Sequence, residues 1–235
     1  MTDLSVIVFA LDEETNIGPV LAELVAWLRE HEPTSEVVFV DDGSSDDTAG
    51  AAARALEGFP HRVERHAQNR GIGAALKTGV RASRGEWITF LPADGQIAPD
   101  AVRTLREAAK GVDIVFSVYD HRDDGLDRTI LSAGVRALIR GVHGVSIESD
   151  GPYLVRRRIF VPDELPPDTF FLNFELPIRA VAAGLPHRVV TIECRPRMSG
   201  QSKSKSLQRI VGVAKDLADL RRRRWRRALR ILRGG

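Results

Sequence analysis

An α/β fold, with a mainly parallel sheet flanked by helices, is what this sequence predicts, on two observations. Short apolar runs rich in β-branched residues alternate with segments of helical periodicity, the order expected of βαβ units. The runs are near-continuously apolar, as strands covered on both faces are. At 235 residues, 43% hydrophobic and 28% charged, the chain has the size and composition of one globular domain with a short appendage.

The elements follow in order. Leu4 to Ala10 is a strand closed by the polar DEETN, and Ile17, Val20, Leu21, Leu24 and Leu28 then fall at helical spacing. Thr15 or Asn16 is expected as the cap, with Pro19 in the first turn. EVVFV at 36–40 precedes DDGSSDDT and an alanine-rich helix over 48–57. HRVERH at 61–66 precedes NRGIGAALKTGVRAS; EWITFL at 86–91 precedes a helix opened by Pro99 and Asp100; DIVFSV at 113–118 is a fifth strand. Past residue 120 the rhythm loosens. Residues 127–142 suit a helix, GPYLVRR a short strand, NFELPIRAVAAG a helix ended by Gly184, and HRVVTIE a last strand before the loop CRPRMSGQSKSKS.

Charge divides the chain. Residues 203–235 hold 12 Lys/Arg against Asp216 and Asp219, a net +10, which leaves 22 basic and 30 acidic residues elsewhere, a net −8. Apolar positions 207, 211, 214, 218, 225, 229 and 232 make a helical stripe beside RRRRWRR, so residues 207–235 read as a basic amphipathic helix appended to a body spanning 1–206. No apolar run reaches the roughly 18 to 20 residues of a membrane span, and the acids after the first apolar run argue against a signal peptide. The cytoplasm is the expected compartment. Cys194 is the single cysteine, and the six histidines lack metal-ligand spacing.

Ligands of such sheets bind at the carboxyl ends of strands, where the acidic and glycine-rich loops lie. VDDGSSDDT places Asp41 and Asp42 at a strand tip, where adjacent carboxylates repel unless a base, ribose or cation is read there. Asp46 or Asp47 suits the cap of the next helix. The glycines of NRGIG open another helix, whose N–H groups suit either an anion or a plain tight turn. In PADGQ, Asp94 and Gln96 end a strand together.

VDDGSSDDT, NRGIGAALKTG, PADGQ and RMSGQSK, in that order, resemble family-2 glycosyltransferases of the GT-A (Rossmann-like) fold, and among them the polyprenyl-phosphate sugar transferases such as dolichyl-phosphate mannose synthases. The resemblance spans about residues 4 to 205. It implies that Ala10, Leu11 and Glu13, with Asp41 and Asp42, hold the nucleoside of a GDP- or UDP-linked sugar, beside Ala93 and Asp94. It implies Mg²⁺ or Mn²⁺ on Asp94 and Gln96, oxygen ligands for a hard ion. The motif of the lipid-phosphate branch reads D-A-D-x-Q, and Pro92 stands where its first acid belongs. Arg197, Gly200, Ser202 and Lys203 match a loop that closes over the donor phosphates. Asp94, Arg197 and Glu175 are the catalytic candidates, the last a loose match, as are Glu148 and Asp150 near the sugar.

The implied reaction is an inverting displacement at the anomeric carbon. A polyprenyl-phosphate acceptor needs no general base, because its second pKa is about 6. The basic tail fits peripheral contact with anionic lipid on the inner face of the cell membrane. It also suits docking on the acidic body of its own subunit, or on that of another subunit in a homo-oligomer; nucleic acid is disfavoured, with one tryptophan in the tail and no recognisable module. A soluble-glycan transferase and a weakened nucleotide-sugar-binding accessory are the alternatives.

Overall fold

The computed structural model describes residues 2–120, 134, 136–165, 168, 169, 171–196 and 215–222. Its strands are β1 (Leu4–Ala10), β2 (Ser35–Asp41), β3 (His61–Arg65), β4 (Trp87–Pro92), β5 (Ile114–Tyr119), β6 (Leu154–Arg156) and β7 (His187–Ile192). They form one sheet in the order β3-β2-β1-β4-β6-β5-β7. All neighbours are parallel except β6, which runs antiparallel to both β4 and β5. The expected mainly parallel α/β sheet is therefore present, with one short reversed strand inside it.

The helices are α1 (Glu14–His31), α2 (Thr48–Ala55), α3 (Ile72–Ala82), α4 (Asp100–Glu107), α5 (136–143), α6 (Leu172–Ala182) and α7 (215–222). One core joins α1, α2 and α4 to the sheet through Leu21, Leu24, Leu28, Val37, Phe39 and Leu105. On the opposite face α3 and α6 meet it through Ile7, Val38, Leu76, Val80, Leu172 and Leu176. Each such side chain contributes about 1.5 to 3 kcal/mol on burial.

Three local expectations are corrected. Helix α1 starts at Glu14, with Glu13 rather than Thr15 or Asn16 at the cap position. Its first N–H groups find partners thirty residues away: Glu13 N–H donates to Thr48 Oγ1 and Glu14 N–H to Asp46 Oδ2. Pro19 is consequently inside the helix, not in its first turn. Third, the stripe expected through residue 218 is rotated, because Leu217 and Leu220 are buried while Ala218 is exposed. Those two leucines pack with Ile139, Ile147, Phe171 and Ile178, so this part of the tail docks on the body. The proposed division at residue 206 lies outside the described residues, as do Trp225, Leu229 and Leu232.

Candidate active site

Strands β1 and β4 are adjacent, yet the connections from them run toward opposite edges of the sheet, which makes their carboxyl ends a topological switch point. Register aligns the tips: Ala10 pairs with Asp41, and Phe9 with Pro92. Ala10, Leu11, Glu13, Asp41, Asp42, Ala93, Asp94 and Gln96 thus come from neighbouring strand ends and share one edge.

The exit of β1 is held by the loop after β2. Asp12 has φ 52, a left-handed conformation that aspartate tolerates better than most residues. Its Oδ1 accepts from Ser45 N–H at 2.8 Å and Ser45 Oγ at 3.0 Å, while its own N–H donates to Ser44 Oγ at 2.9 Å. The serines of VDDGSSDDT are therefore braces for the β1 loop. Asp46, one residue before the cap position, accepts from Thr48 N–H and Thr48 Oγ1. Burial pushes its carboxyl up, but these bonds and that from Glu14 N–H outweigh it and hold the pKa below the ordinary value.

Asp41 and Asp42 are both buried. Asp41 Oδ1 accepts from Ser44 N–H at 2.9 Å; Arg65 Nε lies 3.0 Å from Oδ2, off the direction of a hydrogen bond. Asp42 meets His66 Nδ1 at 2.7 Å and accepts from Arg70 N–H at 2.9 Å and Gly71 N–H at 2.8 Å. Both side chains are thus held by partners within the chain. The entry to α3 does hold an anion, and that anion is the Asp42 carboxylate. Gly43, at φ 83, lets this happen: a Cβ there would come within 2.4 Å of the Gln68 carbonyl carbon.

In PADGQ, Gln96 N–H donates to Asp94 Oδ1 at 3.2 Å, closing a turn through Gly95 at φ 70. The Gln96 carbonyl accepts from Arg195 N–H at 2.8 Å, and Gln96 Nε2 donates to the Arg195 carbonyl at 3.5 Å. The turn is thereby fastened to the chain leaving β7, just before Arg197. Arg197, Gly200, Ser202 and Lys203 lie outside the described residues. Glu175 has no exposure and accepts from Arg179 Nε and Nη2 at 2.9 and 2.6 Å, so its carboxylate is in the interior rather than on the edge. Glu148 is exposed, and Asp150 pairs with Arg136 at 3.1 Å.

Among the described residues no three His, Cys, Asp or Glu side chains converge on a cation site. Asp94 with Gln96 fits a divalent ion that takes most of its ligands from substrate phosphates and water, the usual manner of Mg²⁺. Sequence reasoning missed His66 and Asp168. A histidine directly after an edge strand, one strand from Asp42, was the available signal for the first; a lone aspartate after two prolines gave none for the second.

A mostly parallel sheet with carboxylates at its switch point is the architecture of α/β folds that bind ligands beyond their strand ends. The profile described as Glycosyl transferase family 2 matches residues 5–160, and the chain belongs to that family. It is similar to the undecaprenyl-phosphate 4-deoxy-4-formamido-L-arabinose transferase of Pseudomonas fluorescens, 29% identical over 217 residues, 91% of this chain and 63% of that protein. The Pseudomonas paraeruginosa protein of the same name is 32% identical over 151 residues, 63% of this chain and 44% of that one. The chain therefore spans about half to two thirds of these relatives. Among solved structures, glucosyl-3-phosphoglycerate synthase from Mycobacterium tuberculosis, in complex with Mg²⁺ and UDP, superposes with TM-score 0.68 at 20% identity, over 93% of this chain and 78% of that one. The same enzyme with Mn²⁺, UDP-glucose and phosphoglyceric acid gives 0.66, also at 20% identity, over 93% and 78%. The GT-A fold is shared with these.

Proposed function

We propose that this protein transfers a sugar, with inversion, from a nucleotide-sugar donor to a polyprenyl phosphate. The observation that carries the reading is the placement of Asp42 and Asp94 just past the carboxyl tips of β2 and β4, the two strands that flank β1, in a chain matched over 91% of its length to an undecaprenyl-phosphate sugar transferase. Ala10, Leu11, Glu13 and Asp42 line the place for the nucleoside, with Asp41 fixed behind them. Asp94 lies where the diphosphate would fall. A divalent cation bound there by Asp94 and Gln96 supplies charge neutralisation for the departing diphosphate.

The chain itself has to align two anions and keep water out. An acceptor phosphate oxygen forms the new bond to the anomeric carbon as the bond to the donor diphosphate breaks. Because that oxygen is already ionised near neutral pH, no side chain need take a proton. Glu175, paired in the interior with Arg179, is then a brace of α6 instead of a base. Arg197 and Lys203 are assigned to the donor phosphates, on the strength of the R-x-x-G-x-S-K pattern.

Peripheral attachment to anionic lipid belongs to the same proposal. No helix among the described residues is long and apolar enough to cross a membrane. Lys215, Arg221 and Arg222 are exposed on α7 while its leucines face the body, so this turn of the tail offers charge to a surface. Roughly 1 kcal/mol per basic residue is available at such a surface.

The test is acceptor competition. Release of nucleoside diphosphate is measured with polyprenyl phosphate, with the unphosphorylated polyprenol, and with a soluble sugar. Release dependent on the lipid phosphate, and abolished in Asp94→Ala, is expected. Release driven by the soluble sugar would replace the lipid reading with a soluble-acceptor transferase.

A further inference from the structure

Asp168 sits where three elements meet. Its Oδ1 accepts from Lys77 Nζ at 2.7 Å, and its Oδ2 lies 3.8 Å from Arg70 Nη2. Its carbonyl accepts from Ala74 N–H, in the first turn of α3, at 3.2 Å. The backbones approach so closely that a Cβ on Gly73 would come within 2.5 Å of the Thr169 carbonyl oxygen and 2.6 Å of the Asp168 carbonyl carbon. The next residue continues the chain of contacts: Thr169 Oγ1 donates to Asp216 Oδ2 on α7 at 2.8 Å.

The turn gripped in this way, Arg70 to Gly73, is the one whose N–H groups hold Asp42. The Lys77 side chain is 7% exposed and that of Asp168 47%, so the pair runs from a buried ammonium out to the surface. Such pairs are poor stabilisers, since apolar replacements are often neutral or better. What the carboxylate adds over an apolar contact is register, together with a second oxygen facing the half-exposed Arg70 guanidinium.

We propose that Asp168 is a positioning residue for donor binding: by clasping Lys77, Arg70 and the Ala74 N–H it sets the glycine turn that orients Asp42. Through Thr169 it also joins that turn to the basic C-terminal helix. The inference rests on the reading of the Asp42 edge as the nucleoside site.

The experiment compares wild type, Asp168→Asn and the double variant Lys77→Met/Asp168→Asn. Thermal stability, amide hydrogen exchange, and calorimetric binding of UDP and of GDP with Mg²⁺ are measured on each. The single variant leaves a buried ammonium facing an amide and loses stability; the double variant removes that charge and recovers it. If Asp168 positions the turn, the recovered double variant still exchanges faster at Gly71 and Ala74. It also still binds the nucleotide about tenfold more weakly, because the turn no longer holds Asp42 in its binding orientation. Affinity that returns together with stability, or unchanged exchange at those amides, overturns the positioning role. Faster exchange in a protein whose wild type binds neither nucleotide would instead sink the donor reading and reduce Asp168 to a structural clasp.

Discussion

The imidazole of His66 joins the carboxylate of Asp42, at 2.7 Å, to the hydroxyl of Thr78, at 2.9 Å. Both partners of this first bond are buried, so β3 contributes to the site without touching its open edge. Asp42 is held on one side by a side chain and on the other by the helix entry, which leaves its orientation little freedom.

His66→Ala is expected to destabilise the fold by about 1 to 3 kcal/mol, because a buried carboxylate loses a partner. UDP or GDP binding should weaken with it. His66→Gln, which keeps a donor in roughly the same place, should recover part of both. Urea unfolding and calorimetry on the two variants check this; equal losses in both would deny a hydrogen-bonding role for the ring.

Tyr153 gives a pH dependence. Burial pushes its phenol well above the ordinary value of 10.0. The folded state thus keeps the proton while the unfolded state releases it. This contribution is fully present below pH 10 and is lost as pH rises from there, with a slope of at most about 1.4 kcal/mol per pH unit. The hydroxyl is without a hydrogen-bond partner among the described residues, so Tyr153→Phe should leave stability at pH 7 within about 1 kcal/mol and flatten the alkaline loss. Unfolding midpoints at pH 8 and pH 11 for both proteins test it; the same alkaline slope in each would contradict the assignment.

Pro92→Asp restores a carboxylate to the position where the resemblance places one. Pro92 is half-buried at the end of β4, opposite Phe9. A second hard oxygen donor near Asp94 should lower the Mn²⁺ concentration for half-maximal nucleotide binding, by about tenfold. Titration of Mn²⁺ at fixed UDP or GDP reads this directly, and an unchanged midpoint would mean that position 92 does not face the cation.

The parallel strands were legible because β1, β2, β4 and β5 are buried on both faces and so carry unbroken apolar runs. The direction of β6 was not, since three residues, Leu154 to Arg156, carry periodicity but no sense of direction, and their partners are far apart in sequence. The start of α1 was misplaced for a related reason: its capping groups, Thr48 and Asp46, come from another loop. On α7 the expected stripe runs through Ala218, whereas the face that packs on the body carries Leu217 and Leu220, which bury more surface. The acidic edge was readable because its residues end strands in sequence. The contacts that hold it, His66 and Asp168, are single residues brought in by the topology.

Transfer of label into lipid tests the central claim most directly. Radiolabelled UDP-glucose, UDP-N-acetylglucosamine and GDP-mannose are supplied with Mg²⁺ or Mn²⁺ and polyprenyl phosphate, and the organic phase is counted. The account predicts label in that phase from at least one donor, dependent on the lipid phosphate and absent in Asp94→Ala. Label confined to the aqueous phase, from a protein that binds the nucleotide, would contradict it.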